Sequence, residues 1–193
     1  CNGFDTISGA EIQQFRALMS EGSFVSGAGQ VVAYDIVTPY SSFVVENIKL
    51  SRRLRVGVDA GNATAGPVIL PILERLGCEV FPLYCEMDGT FPNHEPDPTV
   101  LENLQDLSEL VRDKKLDVGV AYDGDGDRLG VVDHSGEPVF GDKLMIIFAR
   151  EILSRRPGVK FISEVKCSQT LYDDISKHGG NPIMWRTGHS LIK

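Results

Sequence analysis

Residues 116–133 read Leu-Asp-Val-Gly-Val-Ala-Tyr-Asp-Gly-Asp-Gly-Asp-Arg-Leu-Gly-Val-Val-Asp. Two apolar runs flank three aspartates separated only by glycine. The first run, 116–122, predicts a buried strand, and "LGVVD" predicts a strand that returns beside it. His134-Ser-Gly136 then reads as a turn, with Pro138–Phe140 pairing back as a hairpin. Upstream the pattern alternates: strand 54–60, helix 66–76 ending at Gly77, strand 79–84, a proline-rich loop 86–98 and helix 99–114. Together with strand 116–122 this is a βαβαβ series. It predicts a parallel sheet with helices on its faces and ligand loops at the strand C-termini. Pro71 lies inside the first of these helices and removes a backbone donor, which predicts a kink.

Beyond the hairpin the alternation restarts with helix 142–155, strand 160–166, helix 168–178 and strand 182–186, placing a domain boundary near 141–143. At the other end, Ser8 and Glu11 have capping-box spacing ahead of Ile12, Phe15, Leu18 and Met19, predicting an amphipathic helix over 9–20 closed by Gly22. Residues 39–50 read as a second helix, followed by the basic run Ser51–Arg55. The fold class is therefore α/β, with mixed but mainly parallel sheets and helices on both faces.

The 193 residues are 42% hydrophobic and 24% charged, with 20 glycines and 10 prolines, values that exclude a disordered, collagenous or coiled-coil chain. The longest apolar stretches, such as Leu144–Ala149, fall far short of the ~20 residues a membrane crossing needs. No charged-then-apolar leader opens the sequence, so neither a membrane span nor an export signal is expected. Cys1, Cys78, Cys85 and Cys167 make no CxxC pair, which favours a reduced, cytoplasmic setting. Cys1 in place of an initiator methionine, and an end at Lys193 without a turn or charged tail, suggest a piece of a longer reading frame.

The net charge of −8 is unevenly spread: residues 86–142 hold 15 acids against Arg112, Lys114, Lys115 and Arg128. That balance repels phosphodiester backbones, so nucleic acid is not expected as a partner, while a local acidic excess suits a cation. Its centre is Asp123, Asp125 and Asp127. Glycines between them allow the chain to curl until the three carboxylates converge. Two carboxylates ~4 Å apart repel by ~4 kcal/mol at an effective dielectric near 20, and a hard divalent ion removes that penalty. Three oxygen ligands with open positions suit Mg2+.

Other ion and phosphate loops fit less well. From Asp123, EF-hand positions six and twelve fall on Arg128 and His134 instead of glycine and glutamate. Gly61–Gly66 spaces its glycines like a Walker A loop but continues Pro67-Val68 where lysine and a hydroxyl residue belong. Asp123-Gly-Asp125-Gly matches the opening of a haloacid-dehalogenase-type phosphatase in part, with Asp127 standing where threonine is expected. A Mg-dependent aspartyl phosphatase and a non-enzymatic cation-binding module remain as alternatives.

"YDGDGDR" (122–128), "VDAGNATAG" (58–66), "DGTFPNHEPDP" (88–98), "EVKCS" (164–168) and "RTGHSLIK" (186–193) together resemble the α-D-phosphohexomutases, most closely the bacterial phosphomannomutase/phosphoglucomutase branch. The resemblance covers nearly the whole chain. It implies a four-domain enzyme interconverting hexose 1- and 6-phosphates of mannose or glucose through an enzyme phosphoserine and a bisphosphorylated sugar. On this resemblance residues 1–35 are the end of domain 1 and a linker, 36–141 domain 2, and 142–193 the first part of domain 3. Asp123, Asp125 and Asp127 match the Mg2+ ligands and Arg128 the arginine beside the phosphoserine. Lys166 and His189 match residues facing the sugar phosphate.

The chemistry is consistent with these roles, since phosphoryl transfer asks mainly for positioning and charge stabilisation, and a guanidinium forks to phosphate oxygens. A plain neutralising role for Arg128, and plain exposure for Lys166 and His189, are the competing readings. Asn93 and His94 read as loop residues stiffened by Pro92, Pro96 and Pro98. The family's phosphoserine motif has no match, so this segment alone is expected to be inactive.

Overall fold

A computed structural model describes residues 7–22 and 24–192. In chain order the elements are α1 (Ala10–Glu21), α2 (Val37–Asn47), β1 (Arg55–Asp59), α3 (Gly66–Arg75), β2 (Glu79–Leu83), a 3-10 turn (Leu101–Leu104), α4 (Gln105–Lys114), β3 (Val118–Tyr122), β4 (Leu129–Val132), β5 (Pro138–Val139), α5 (Gly141–Arg155), β6 (Lys160–Glu164), α6 (Gln169–Lys177), β7 (Asn181–Trp185) and α7 (His189–Ile192). They group into two compact units, residues 34–141 and residues 1–33 with 142–193. No helix among the described residues is long and apolar enough to cross a membrane.

The 34–141 unit is a five-stranded sheet in the order β2-β1-β3-β4-β5. β2, β1 and β3 are parallel, and β4 and β5 return antiparallel. Period-two alternation assigns the faces. Val56, Val58, Val118 and Val120 pack with Ile69, Leu70 and Leu73 of α3. On the other face Ala121 and Val132 pack with Leu107 and Val111 of α4. Gly57 and Gly119 are register partners on that second face, and Leu107 fills the space both leave. A Cβ at Gly119 would come within 2.9 Å of Leu107, so the missing side chains are what admits the helix.

Several boundaries differ from the sequence expectation for local reasons. α2 begins before Pro39, because the Asp35 carboxylate accepts the Thr38 N–H at 3.2 Å, and it stops when Ile48 turns extended. Helix 99–114 divides into the 3-10 turn and α4. α3 runs on past Pro71 to Arg75. Only half of the capping box at α1 forms: the Glu11 carboxylate accepts the Ser8 N–H at 3.3 Å, while Gly9 occupies the N-cap. The apolar residues of α1, Phe15 and Leu18 among them, are all exposed. Gly22, at φ 65°, closes the helix.

In the other unit β6 and β7 pair in parallel, with Glu164 opposite Trp185. Ala149 and Leu153 of α5 pack with Phe161, Leu171 and Ile175 as a separate core. The short α7 has no counterpart in the sequence reading.

Candidate metal and phosphate site

β3 and β4 pair through Tyr122 and Leu129, so residues 123–128 form the loop that closes an antiparallel hairpin. Gly126 sits at φ 76°, a conformation most side chains resist, and its N–H donates to the Asp123 carbonyl at 3.1 Å. The turn brings ligand oxygens of Asp123, Asp125 and Asp127 within 4.8 Å of one another. An octahedral Mg2+ with ligands at about 2.1 Å holds its oxygens roughly 3–4 Å apart, so the donor set fits this ion in chemistry and nearly in spacing.

The electrostatics of the loop show what such an ion relieves. Asp127's carboxyl is held above its ordinary range, first by the charge of Asp125 and then by that of Asp123. Asp123 is buried, and burial works to raise its carboxyl. Hydrogen bonds from the Arg128 peptide N–H (3.0 Å to Oδ1) and guanidinium (Nε 2.6 Å from Oδ2) outweigh that, leaving it below the ordinary range. Each Asp123 oxygen still has a lone pair for a cation.

Parallel pairing of β1 with β3 places the loop after β1 beside this one, where Thr64 Oγ1 donates to the Gly124 carbonyl at 2.9 Å. Beside Asp125 opens a cavity of about 310 Å3, walled by Tyr40, Thr64, Val68, Ile72 and Tyr122. Burial pushes the Tyr122 hydroxyl up to about 12, so Tyr122 stays a neutral wall residue. Thr64 and Asp97, the latter 3.1 Å from Arg128 Nη1, were not singled out by the sequence reading. "GNATAG" and "HEPDP" are the motifs that contain them, and no local pattern says which loop they face.

Lys166 lies in the other unit. It stands two residues past the end of β6 in an exposed turn, its Nζ 3.7 Å from a Glu164 carboxylate oxygen. The expectation that it sits on the strand itself is corrected: β6 ends at Glu164, whose other carboxylate oxygen accepts Thr187 Oγ1 at 2.6 Å. Parallel register thus sets "EVKCS" beside "RTGHS", 22 residues later. The backbone of His189 opens α7; its side chain lies outside the described residues.

Comparison with known proteins places these observations. Phosphoglucomutase/phosphomannomutase alpha/beta/alpha domain II matches residues 38–136 and domain III matches residues 140–193. A phosphomannomutase/phosphoglucomutase of Pseudomonas putida is 45% identical across all of this chain and 43% of its own length. A phosphoglucomutase of Neisseria meningitidis is 42% identical over 99% of this chain and 42% of its own length. The chain therefore spans less than half the length of these relatives. The crystal structure of a phosphoglucomutase/phosphomannomutase family protein from Burkholderia thailandensis superposes with a TM-score of 0.93 at 42% identity, covering 97% of this chain and 41% of the other. A putative phosphomannomutase from Thermus thermophilus shares the fold at a TM-score of 0.77 and 18% identity, over 95% of this chain and 43% of that one. With both domain matches contiguous along it, this chain belongs to the phosphoglucomutase/phosphomannomutase family.

Proposed function

We propose that the protein carrying this segment is a phosphohexomutase that interconverts the 1- and 6-phosphates of mannose or glucose. The observation that carries the reading is the convergence of Asp123, Asp125 and Asp127 beside a guanidinium held by Asp123. Bound by these three carboxylates, Mg2+ would supply positive charge to phosphoryl oxygens as transfer proceeds.

The chain's own residues then divide the work. The carboxylates of the loop supply the ligands, with Asp123 fixed by its two bonds from Arg128. Arg128 offers its remaining N–H groups to a phosphoryl oxygen, a contact that favours the spread charge of a loose transition state. Lys166, paired only loosely with Glu164 and largely exposed, and His189 are assigned to the phosphate of the sugar. The phosphoryl-carrying serine that the family resemblance implies is assigned to sequence outside this segment, so residues 1–193 alone turn over no hexose phosphate.

The test is a coupled assay of the complete protein with glucose 1-phosphate, mannose 1-phosphate and a trace of hexose bisphosphate. Formation of the 6-phosphates, abolished by chelation and restored by Mg2+, is expected. An intact, phosphorylated protein that isomerises neither sugar phosphate would overturn the assignment.

A further inference from the structure

Arg128 is gripped from two sides. Its Nε donates to Asp123 Oδ2 at 2.6 Å and its Nη1 donates to Asp97 Oδ1 at 3.1 Å. Asp123 is local, five residues away, but Asp97 is 31 residues upstream in the long loop between β2 and the 3-10 turn. Among the described residues no acceptor takes Nη2, and the side chain is half exposed. Two acceptors on different nitrogens define the plane of a guanidinium, whereas one leaves it free to pivot.

Asp97 is itself held in place. Pro96 covers Gly61, where an added Cβ would meet Pro96 Cβ at 2.9 Å, and Pro98 covers Gly130, where the distance would be 2.7 Å. The Asn103 side-chain amide donates to the carbonyls of Glu95 and Asp97 at 2.8 and 3.0 Å. Upstream, His94 Nε2 meets the buried Asp59 carboxylate and Asn93 Nδ2 donates to Asn62 Oδ1 at 2.7 Å. The carboxylate of Asp97 also accepts the N–H and hydroxyl of Thr99 at 3.0 and 2.7 Å. These contacts fix the loop from both sides of Asp97.

We propose that Asp97 is a positioning residue for Arg128, taking one edge of its guanidinium so that Nη2 stays presented to a phosphoryl oxygen beside the aspartate loop. The proposal rests on the phosphohexomutase reading above. Without Asp97 the guanidinium pivots about its bond to Asp123 and drifts toward Asp125 and Asp127, whose charges attract it. Misplacing a charge-stabilising group costs rate more than ground-state affinity, because its contact tightens in the transition state.

The competing role for Asp97 is purely structural, a turn closed on Thr99. Asp97 Oδ1 accepts both Thr99 bonds and Arg128 Nη1, so Asp97→Asn keeps that acceptor and removes only the charge of the pair. Asp97→Ser keeps a short acceptor for the Thr99 N–H but cannot reach Arg128. In the complete protein Asp97→Ser is expected to lose roughly tenfold in kcat for glucose 1-phosphate and Asp97→Asn less, with KM within about twofold of the parent in both. In the same proteins the Arg128 Nη1 protons, which donate to Asp97, should exchange slowly with water in the parent and faster in the variants. A folded Asp97→Ser protein whose kcat stays within about twofold, or whose loss falls on KM alone, would overturn the proposal. If the parent protein itself shows no mutase activity, the functional reading fails. The exchange measurement then decides: unchanged protection in both variants removes the positioning role, and faster exchange retains it.

Discussion

His94 Nε2 stands 3.0 Å from the Oδ2 of Asp59, joining the loop after β2 to the end of β1 across 35 residues of sequence. The Asp59 side chain is fully enclosed, and burial raises its carboxyl above the ordinary range despite a bond from the Gly61 N–H and the nearby His94 ring. The other ring nitrogen, Nδ1, is 2.9 Å from the Glu95 carbonyl. The ring thus bridges the buried carboxylate and a backbone carbonyl of its own loop.

Replacing His94 by alanine should leave Asp59 enclosed with only the Gly61 N–H as partner. A loss of about 2–4 kcal/mol is expected, somewhat under the figure for a fully buried pair because the ring is partly exposed. In a double-mutant cycle with Asp59→Asn, urea unfolding should give a coupling of about 1 kcal/mol or more. Additive effects would mean that the two side chains do not support one another.

Leu107→Ala should remove the side chain that fills the space over both Gly57 and Gly119. Strands β1 and β3 cannot close that gap, since neither glycine has a side chain to move into it. The expected cost is about 3–5 kcal/mol, the upper part of the range for such truncations. Chemical unfolding measures it, and a cost near 1 kcal/mol would show that α4 settles onto the sheet.

Asp117 accepts from the Arg52 side chain and the Arg55 N–H, both at 2.8 Å. These bonds, that of Arg52 foremost, hold its carboxyl down at about 2. A carboxyl lowered in the folded state contributes stability that is complete above its unfolded value near 3.8 and is lost as the pH falls from there toward 2. Urea midpoints at pH 5 and pH 2.5 should therefore converge more in Asp117→Asn than in the parent. An equal acid loss in both would remove Asp117 from the account.

Asp125→Asn should act in opposite directions with and without a cation. In chelator, removing the charge that raises Asp127 relieves repulsion, so the unfolding midpoint should stay level or rise. With Mg2+, the stabilisation that grows with ion concentration should shrink, matching a loss of about tenfold in affinity. Titration calorimetry gives the affinity directly. Equal Mg2+ binding by parent and variant would reduce the three aspartates to a solvated turn.

Much of this protein is written locally. Alternating β and helical periods, the glycines that end helices and the turn at 134–136 each act within a few residues, so the order of elements and the returning β4 can be read along the chain. The aspartates at 123, 125 and 127 are legible for the same reason: their spacing and the glycines between them suffice to bring the carboxylates together. Where local signals compete, as Asp35 and Pro39 do at the start of α2, boundaries shift.

What the sequence by itself determined, then, is the kind and order of elements and the acidic turn between β3 and β4. The tertiary structure alone decided which loops meet: Asp97 with Arg128, His94 with Asp59, Thr64 with Gly124, Glu164 with Thr187. Each pair is joined across 23 to 60 residues, and no short-range pattern encodes its partner. Parallel strand register and the packing of prolines over glycines make these choices, because both depend on surfaces that exist only once the sheet has formed.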